Sequence, residues 1–309
     1  MSLRINNDNF GAYCAKFSNE RACFQALFDI KWPDGYRCPQ CGDPRFYLIS
    51  TRRLPLYECR ACRVQTSLIS GTIMEGSRTP LHRWFQAIYL HTQLGCVNAR
   101  QLSAAIQVTY KTAWLICHKI RRAMTHAESG RFLSGIVRVS DTLYSKRLTP
   151  TFEWHNQEQL LLVGASGDSS EEPDLIVVEH QSKANLRDKY DCTDPTPFIH
   201  KHVAPKFIKD TVFTRRYGKN MNQTLAWMGY HITWWAGRIF RGIGPKHLQA
   251  YLNQFCYYYN RPSHTLYDEL LSDCVASQRI TYKELIRSTV SRRLTRCSPR
   301  ASRPASQTG

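Results

Sequence analysis

A chain of 309 residues, 42% of them hydrophobic, is long enough for two or three domains and can bury a core, which excludes a wholly disordered protein. No apolar run approaches membrane-spanning length, and the N-terminus lacks the build of a signal peptide, so a cytoplasmic protein with no membrane partner is expected. With 42 basic and 24 acidic side chains the net charge is +18, which points to a polyanionic partner, nucleic acid first.

In chain order, residues 9–30 read as one or two short helices, because Phe10, Tyr13, Phe17, Cys23, Leu27 and Phe28 recur at helical spacing. A turn at 32–36 leads into Cys38 and Cys41. A second pair, Cys59 and Cys62, follows after seventeen residues. Two residues within each pair let both sulfurs turn onto one ion, so the four cysteines predict a structural Zn2+ site closed by four thiolates. The rival is a disulfide framework or free buried thiols, but nothing else in the chain looks secreted. Gly42 suits the left-handed turn after the first pair; Arg63 stands there after the second. Residues 46–49 and 54–57 read as the strands of a ribbon hairpin, with a further strand over 66–73.

Helical signals follow. Thr79-Pro80 starts a helix with Leu81, Trp84, Phe85, Ile88 and Tyr89 as its apolar stripe, broken by Gly95. Residues 98–106 predict a short helix and 110–124 a third, with Ala113, Trp114, Ile116, Cys117, Ile120 and Met124 inward. This is a helix-turn-helix pattern. The third helix then offers Lys111, Thr112, His118, Lys119, Arg121 and Arg122 on its outer face, and Arg100 lies on the helix before it. These are the candidate contacts to double-stranded DNA. Ordinary helical packing is the rival reading. The charge favours DNA: residues 1–135 carry 18 basic and 8 acidic side chains, against 17 and 15 over 136–280.

Beyond residue 130 the period becomes extended. Strands are predicted at 135–144, 160–166, 174–179 and 211–214, a helix at 182–190 and a loop at 191–197. Helices follow at 222–240, 245–259, 266–271 and 281–293. The Ser-, Pro- and Arg-rich tail reads as disordered. The expected organisation is 1–77 N-terminal helices and ribbon, 78–130 helix-turn-helix region, 131–295 third domain and 296–309 basic tail.

The order of parts resembles bacterial insertion-sequence transposases with an N-terminal zinc ribbon, the group related to the eukaryotic Merlin transposons. The resemblance is dense in Trp32-Pro33-Asp34-Gly35-Tyr36-Arg37-Cys38-Pro39-Gln40-Cys41-Gly42 and in Gly71-Thr72-Ile73-Met74. It continues in Tyr110-Lys111-Thr112-Ala113-Trp114, and returns in Pro245-Lys246-His247-Leu248 and Asn260-Arg261. Between residues 133 and 233 the match is thin. The resemblance implies an α+β multidomain fold: a zinc ribbon, a helix-turn-helix, then a ribonuclease-H-like mixed sheet flanked by helices. It implies DDE-type chemistry on two Mg2+ or Mn2+ ions held by carboxylates.

Here the acids are largely missing. The family's first aspartate ends a strand, which in this chain reads Val137-Arg138-Val139-Ser140-Asp141. Aligned by the valines, Ser140 takes the ligand position; aligned by Tyr144, Asp141 does. Alternation puts Asp141 on the face of Val137 and Val139, so a bulge would be needed to bring it to the site. Asp141 is the candidate catalytic residue. At the second aspartate stands Arg215, while Asp210 lies at the wrong end of its strand. Asn220, Asn222 and His231 are the stand-ins for the third ligand, and the family's lysine becomes Thr233.

The expected protein is therefore a bacterial, nucleoid-associated transposase-family protein that binds element-end DNA, with cleavage and strand transfer impaired or lost. Mg2+ or Mn2+ is a cofactor only if the catalytic domain is active. Two alternatives stand beside this: an active transposase with a rearranged metal site, and a noncatalytic DNA-binding regulator. A homo-oligomer on DNA is compatible with each.

Overall fold

The structure is a computed structural model that describes residues 7–93, 96–145, 149–167 and 173–287. Gly95 and the basic tail lie outside the described residues.

Two helices open the chain, α1 (Asn7–Lys16) and α2 (Glu20–Lys31). Asn19 caps α2 by accepting from the Ala22 N–H. A three-stranded antiparallel sheet follows: β1 (Phe46–Ile49), β2 (Leu56–Cys59) and β3 (Gln65–Ser67). The strand expected over 66–73 stops at Ser67. Beyond it the chain turns repeatedly to bury Leu68, Ile73 and Met74.

Three helices come next, α3 (Leu81–Thr92), α4 (Ala99–Ala105) and α5 (Tyr110–Glu128). Asn98 and Gln101 form a capping box on α4, and Thr109 caps α5. Between them Gln107 takes a left-handed φ of 54°, a conformation that is costly for a residue with a Cβ.

The second sheet has order β6-β5-β4-β7, where β4 is Ile136–Tyr144, β5 Gln159–Gly167, β6 Leu175–Gln181 and β7 Val212–Thr214. β4, β5 and β6 form an antiparallel meander, while β7 runs parallel to β4. The helix expected at 182–190 is absent. Lys189 is drawn inward there to the buried Glu158 carboxylate at 2.8 Å, and turns replace the helix. The loop expected at 191–197 instead runs into α6 (Thr196–His202), which follows Pro195 and packs Phe198 under the sheet.

Four helices complete the described chain: α7 (Gln223–Phe240), α8 (Leu248–Tyr259), α9 (Leu266–Ala276) and α10 (Tyr282–Arg287). The sheet is apolar on both faces, as period-2 alternation requires of a strand covered twice. Leu161, Val163 and Ala165 pack under α7 and α8, while Val137, Val139 and Leu162 pack against Phe198 and Val203. α9 turns back: Leu270, Leu271 and Cys274 join the core of α2, α3 and α5. The apolar cores thus cut across the segments expected from sequence.

Two glycines set the spacing of these layers. A Cβ on Gly229 of α7 would lie 2.3 Å from Thr142 Oγ1, and one on Gly164 would lie 2.6 Å from Leu133 Cδ1. Gly229→Ala is expected to lower stability. The overpacking cost of about 1–3 kcal/mol outweighs a helix-propensity gain of at most about 1 kcal/mol. A thermal melt checks this, and Thr142→Ala in the same chain should return part of the loss, as coupling between contacting residues requires.

Acid should also destabilise the fold. Burial holds His91 and His118 neutral, with pKa values pushed down to about 3. Glu158, despite burial, is held down to about 2 by Lys189 and the N–H groups of Thr149 and His155. Each group binds its proton more readily unfolded than folded. Stability is therefore full near pH 7, falls as the unfolded histidines protonate near pH 6.5, and falls further below pH 4.5. His91→Leu should flatten the limb between pH 6.5 and 4.5 in melts across that range.

Candidate metal centre and nucleic-acid interface

The four cysteine sulfurs converge. All lie within 4.8 Å of one another, with Cys38 Sγ to Cys62 Sγ and Cys41 Sγ to Cys59 Sγ both 3.5 Å. A disulfide needs about 2.05 Å, whereas a tetrahedron of sulfurs about 2.3 Å from zinc has edges of about 3.8 Å. The donor set fits zinc. Its two knuckles are built alike: Gly42 N–H donates to Cys38 O at 2.9 Å, and Arg63 N–H donates to Cys59 O at 3.0 Å. Gly42 has φ 75° and Arg63 φ 61°, so Arg63 adopts the turn despite its Cβ.

The electrostatics ask for a cation. Backbone N–H groups of Cys41 and Gln40 pull the Cys38 thiol down to about 6. Cys41 accepts from the Asp43 backbone, yet the Cys59 and Cys62 sulfurs beside it push its thiol up to about 12. Four thiolates this close repel, and a divalent ion removes the repulsion. When bound, zinc supplies folding energy rather than reactivity, since no ligand position is left for water. The ribbon's other support is aromatic: Trp32, Tyr36, Phe46 and Tyr57 pack ring on ring, with Phe28 of α2 against Trp32 and Tyr57.

The DNA candidates divide. Arg100, Lys111 and Arg122 are exposed, and Thr112 is half-buried beside its cap Thr109. His118, Lys119 and Arg121 are not on an outer face. They are 3%, 6% and 1% exposed, which corrects the sequence expectation. Lys119 Nζ donates to Ile73 O at 2.8 Å. Arg121 Nε donates to Gln254 Oε1 at 2.7 Å, and its guanidinium lies 3.9 Å from the Tyr251 ring centroid. His118 sits among Trp114, His247 and Tyr251. α8 covers α5 at His118 and Arg121, while Ile73 and Trp84 take Lys119, so the helix has buried polar positions that its own sequence does not reveal. The sequence reading also missed exposed Tyr47 on β1, with the Arg60 guanidinium 4.5 Å and that of Arg63 5.7 Å from its ring. The signal was there, since Arg60 lies inside the second cysteine pair and Arg63 directly after it.

At the sheet, Asp141 is buried and faces away from Ser140. The β4–β5 register runs unbroken from Ile136↔Gly167 to Tyr144↔Gln159, so no bulge turns Asp141 to the other face. Its carboxylate is taken: Oδ1 accepts from the Arg216 N–H at 2.7 Å, and Oδ2 pairs with the Arg216 guanidinium. Arg215, one residue earlier, is exposed and donates to Tyr190 O. The residue opposing Asp141 is therefore Arg216. Asp210 is exposed at the far end of β7. Asn222 caps α7, and Thr233 Oγ1 donates to Gly229 O at 3.1 Å. Asn220 and His231 are exposed. Among the described residues, the four cysteines are the one group of three or more His, Cys, Asp or Glu side chains placed to share an ion.

Comparisons with known proteins agree with the ribbon. Residues 18–65, which include all four cysteines, match the family described as "Transposase zinc-ribbon domain". The chain is 33% identical over 109 residues to "Uncharacterized protein in transposable element ISH50" of Halobacterium salinarum. That match covers 35% of this chain and 37% of the relative's length. No solved structure matches. Among the described residues no helix is long and apolar enough to cross a membrane.

Purified protein should contain about one zinc per chain by elemental analysis. Cys59→Ser should lose the metal and loosen the ribbon, and a mutant that kept its zinc would remove the assignment.

Proposed function

We propose that this chain is an insertion-sequence transposase-family protein that binds double-stranded element-end DNA through its N-terminal half, and that its metal-dependent cleavage and strand transfer are impaired or lost. The four-cysteine cluster inside a transposase zinc-ribbon match carries the first part. Exposed Arg100, Lys111 and Arg122, with Arg60 and Arg63 over Tyr47 of the ribbon, supply cations that can neutralise phosphates. The capped pair α4 and α5 supports a helix-turn-helix reading, with the start of α5 presented to a groove. The mixed sheet with helices on both faces agrees with a ribonuclease-H-like domain.

The Arg216–Asp141 pair supports impaired catalysis. Two divalent ions a few Å apart repel, and anionic ligands must offset that repulsion. Asp141 is already neutralised, and a guanidinium cannot give up its charge at working pH. The same pair favours the noncatalytic regulator as a second reading.

Binding to element-end duplex should fall by about a hundredfold or more between 50 and 200 mM salt. Arg122→Ala should weaken all sequences about equally, whereas Lys111→Ala should change preference. Arg121→Ala should instead lower the melting temperature, because it empties a buried site. Anisotropy titrations and melts separate these outcomes, and affinity indifferent to salt would remove the DNA reading. With Mg2+ or Mn2+ the same duplex should be cleaved weakly or not at all. Robust cleavage that vanished in Asp141→Ala would restore the active-transposase reading.

A further inference from the structure

The outward face of α7 carries a row of exposed aromatic side chains. Trp227, Tyr230 and Trp234 are 55%, 58% and 51% exposed, at spacings of three and four residues that line one side of a helix. His231 lies in the same row, with its ring 6.3 Å from Trp227 and 6.2 Å from Tyr230. The opposite side of α7 is complete without them, since Leu225, Met228, Ile232 and Ala236 fill the core under β4 and β5. Burying two indoles and a phenol is worth several kcal/mol, so leaving them in water is a feature that asks for a partner.

The charge around the row narrows the partner. Residues 211–267 hold seven Lys and Arg and no Asp or Glu. Lys219 precedes α7, Arg241 ends it, and Arg238 lies over Trp234 at 4.8 Å. All three are exposed. A second copy of the chain is a poor occupant, because an isologous contact would set these cations against themselves with no acid in residues 211–267 to offset them. A DNA duplex offers phosphates but hides its ring faces. An unpaired strand offers both, and aromatic rows beside cations are how single strands are held without regard to sequence.

We propose that the Trp227–Tyr230–Trp234 row of α7 binds an unpaired DNA strand, with bases stacked on the rings and phosphates near Lys219, Arg238 and Arg241. The choice of DNA rests on the DNA-binding reading above; the aromatic row and its charge stand without it. α7 meets the N-terminal half at its C-terminal end, where Asn98 donates to Ile239 O and Arg121 lies over Phe240. The exposed row itself takes no part in those contacts, so duplex and single-strand binding are expected to be lost independently.

The test uses the full chain, a labelled twenty-residue oligothymidine, an oligouridine of the same length and a random duplex. Wild type should bind the oligothymidine and quench its tryptophan fluorescence. Trp227→Ala with Trp234→Ala should weaken that binding by about tenfold or more, since each stacked base contributes about 1–3 kcal/mol. Duplex affinity and melting temperature should stay unchanged. Trp227→Phe with Trp234→Phe should keep most of the single-strand affinity, because the stacking face remains. No binding by wild type, an unchanged affinity in the alanine pair, or equal loss on single strand and duplex would each overturn the proposal. So would tighter binding of oligouridine. Self-association in wild type that disappears in the alanine pair, with oligothymidine binding intact, would make the row a contact between copies instead. Loss of duplex binding alone would count against the N-terminal reading and leave this one standing.

Discussion

Several cations of this chain are drawn out of water at a desolvation cost, with few carboxylates beside them. The fold answers with backbone carbonyls and aromatic faces. Lys31 is held by the carbonyls of Ser67, Leu68 and Ser70, at 3.1, 2.9 and 2.5 Å, which ties α2 to the turn after the ribbon. Lys119 does the same for α5 through Ile73 O, beneath the Trp84 ring. Arg121 is held between Tyr251 and Phe240 with Gln254 at its Nε, joining α5 to α8. Burial lowers the pKa of Lys31 to about 8, because the charged form loses water there. Each such cation crosses from one element to another, so the N-terminal helices, the ribbon and the late helices are stitched by desolvated positive charge.

The same rule governs the acids. Glu158 is fully buried, and it is matched by Lys189 and by N–H donors from Thr149 and His155. Asp141 is matched by Arg216. Removing one partner of such a pair leaves an uncompensated charge, which costs about 3–5 kcal/mol, far more than an exposed pair such as Arg45–Asp43 contributes. A carboxylate this committed to a guanidinium is a structural group. That is the physical link between the packing of β4 against β7 and the proposed loss of chemistry.

The zinc ribbon, the capped helix pair and the outward aromatic row of α7 give the molecule three separable surfaces. The first two lie in the basic N-terminal half. The third lies on α7, where the net charge over 136–280 is small but the acid-free stretch 211–267 concentrates the cations. Charge totalled over a long segment concealed this, because the Glu and Asp before residue 211 cancel the Lys and Arg after it in the sum.

Much of this was determined by sequence alone, for local reasons. Cysteine spacing specified the metal centre, because a knuckle is closed within five residues. Alternation in β4 placed Asp141 with Val137 and Val139, because side-chain period is a property of the strand itself. The helices α3 to α5 and α7 to α9 followed from their apolar stripes. What sequence could not decide was which polar residues are surface. His118, Lys119 and Arg121 read as an outer face until α8, more than a hundred residues later, covers His118 and Arg121, while Ile73 and Trp84 take Lys119. Arg216 rather than Arg215 meets Asp141: the register Ser140↔Thr214 would carry Arg215 alongside Asp141, but the chain leaves β7 at Thr214 and the next residue but one reaches the carboxylate. The helix expected at 182–190 gave way to the buried Lys189–Glu158 pair. In each case a long-range desolvation, invisible to any local pattern, overrode the local preference.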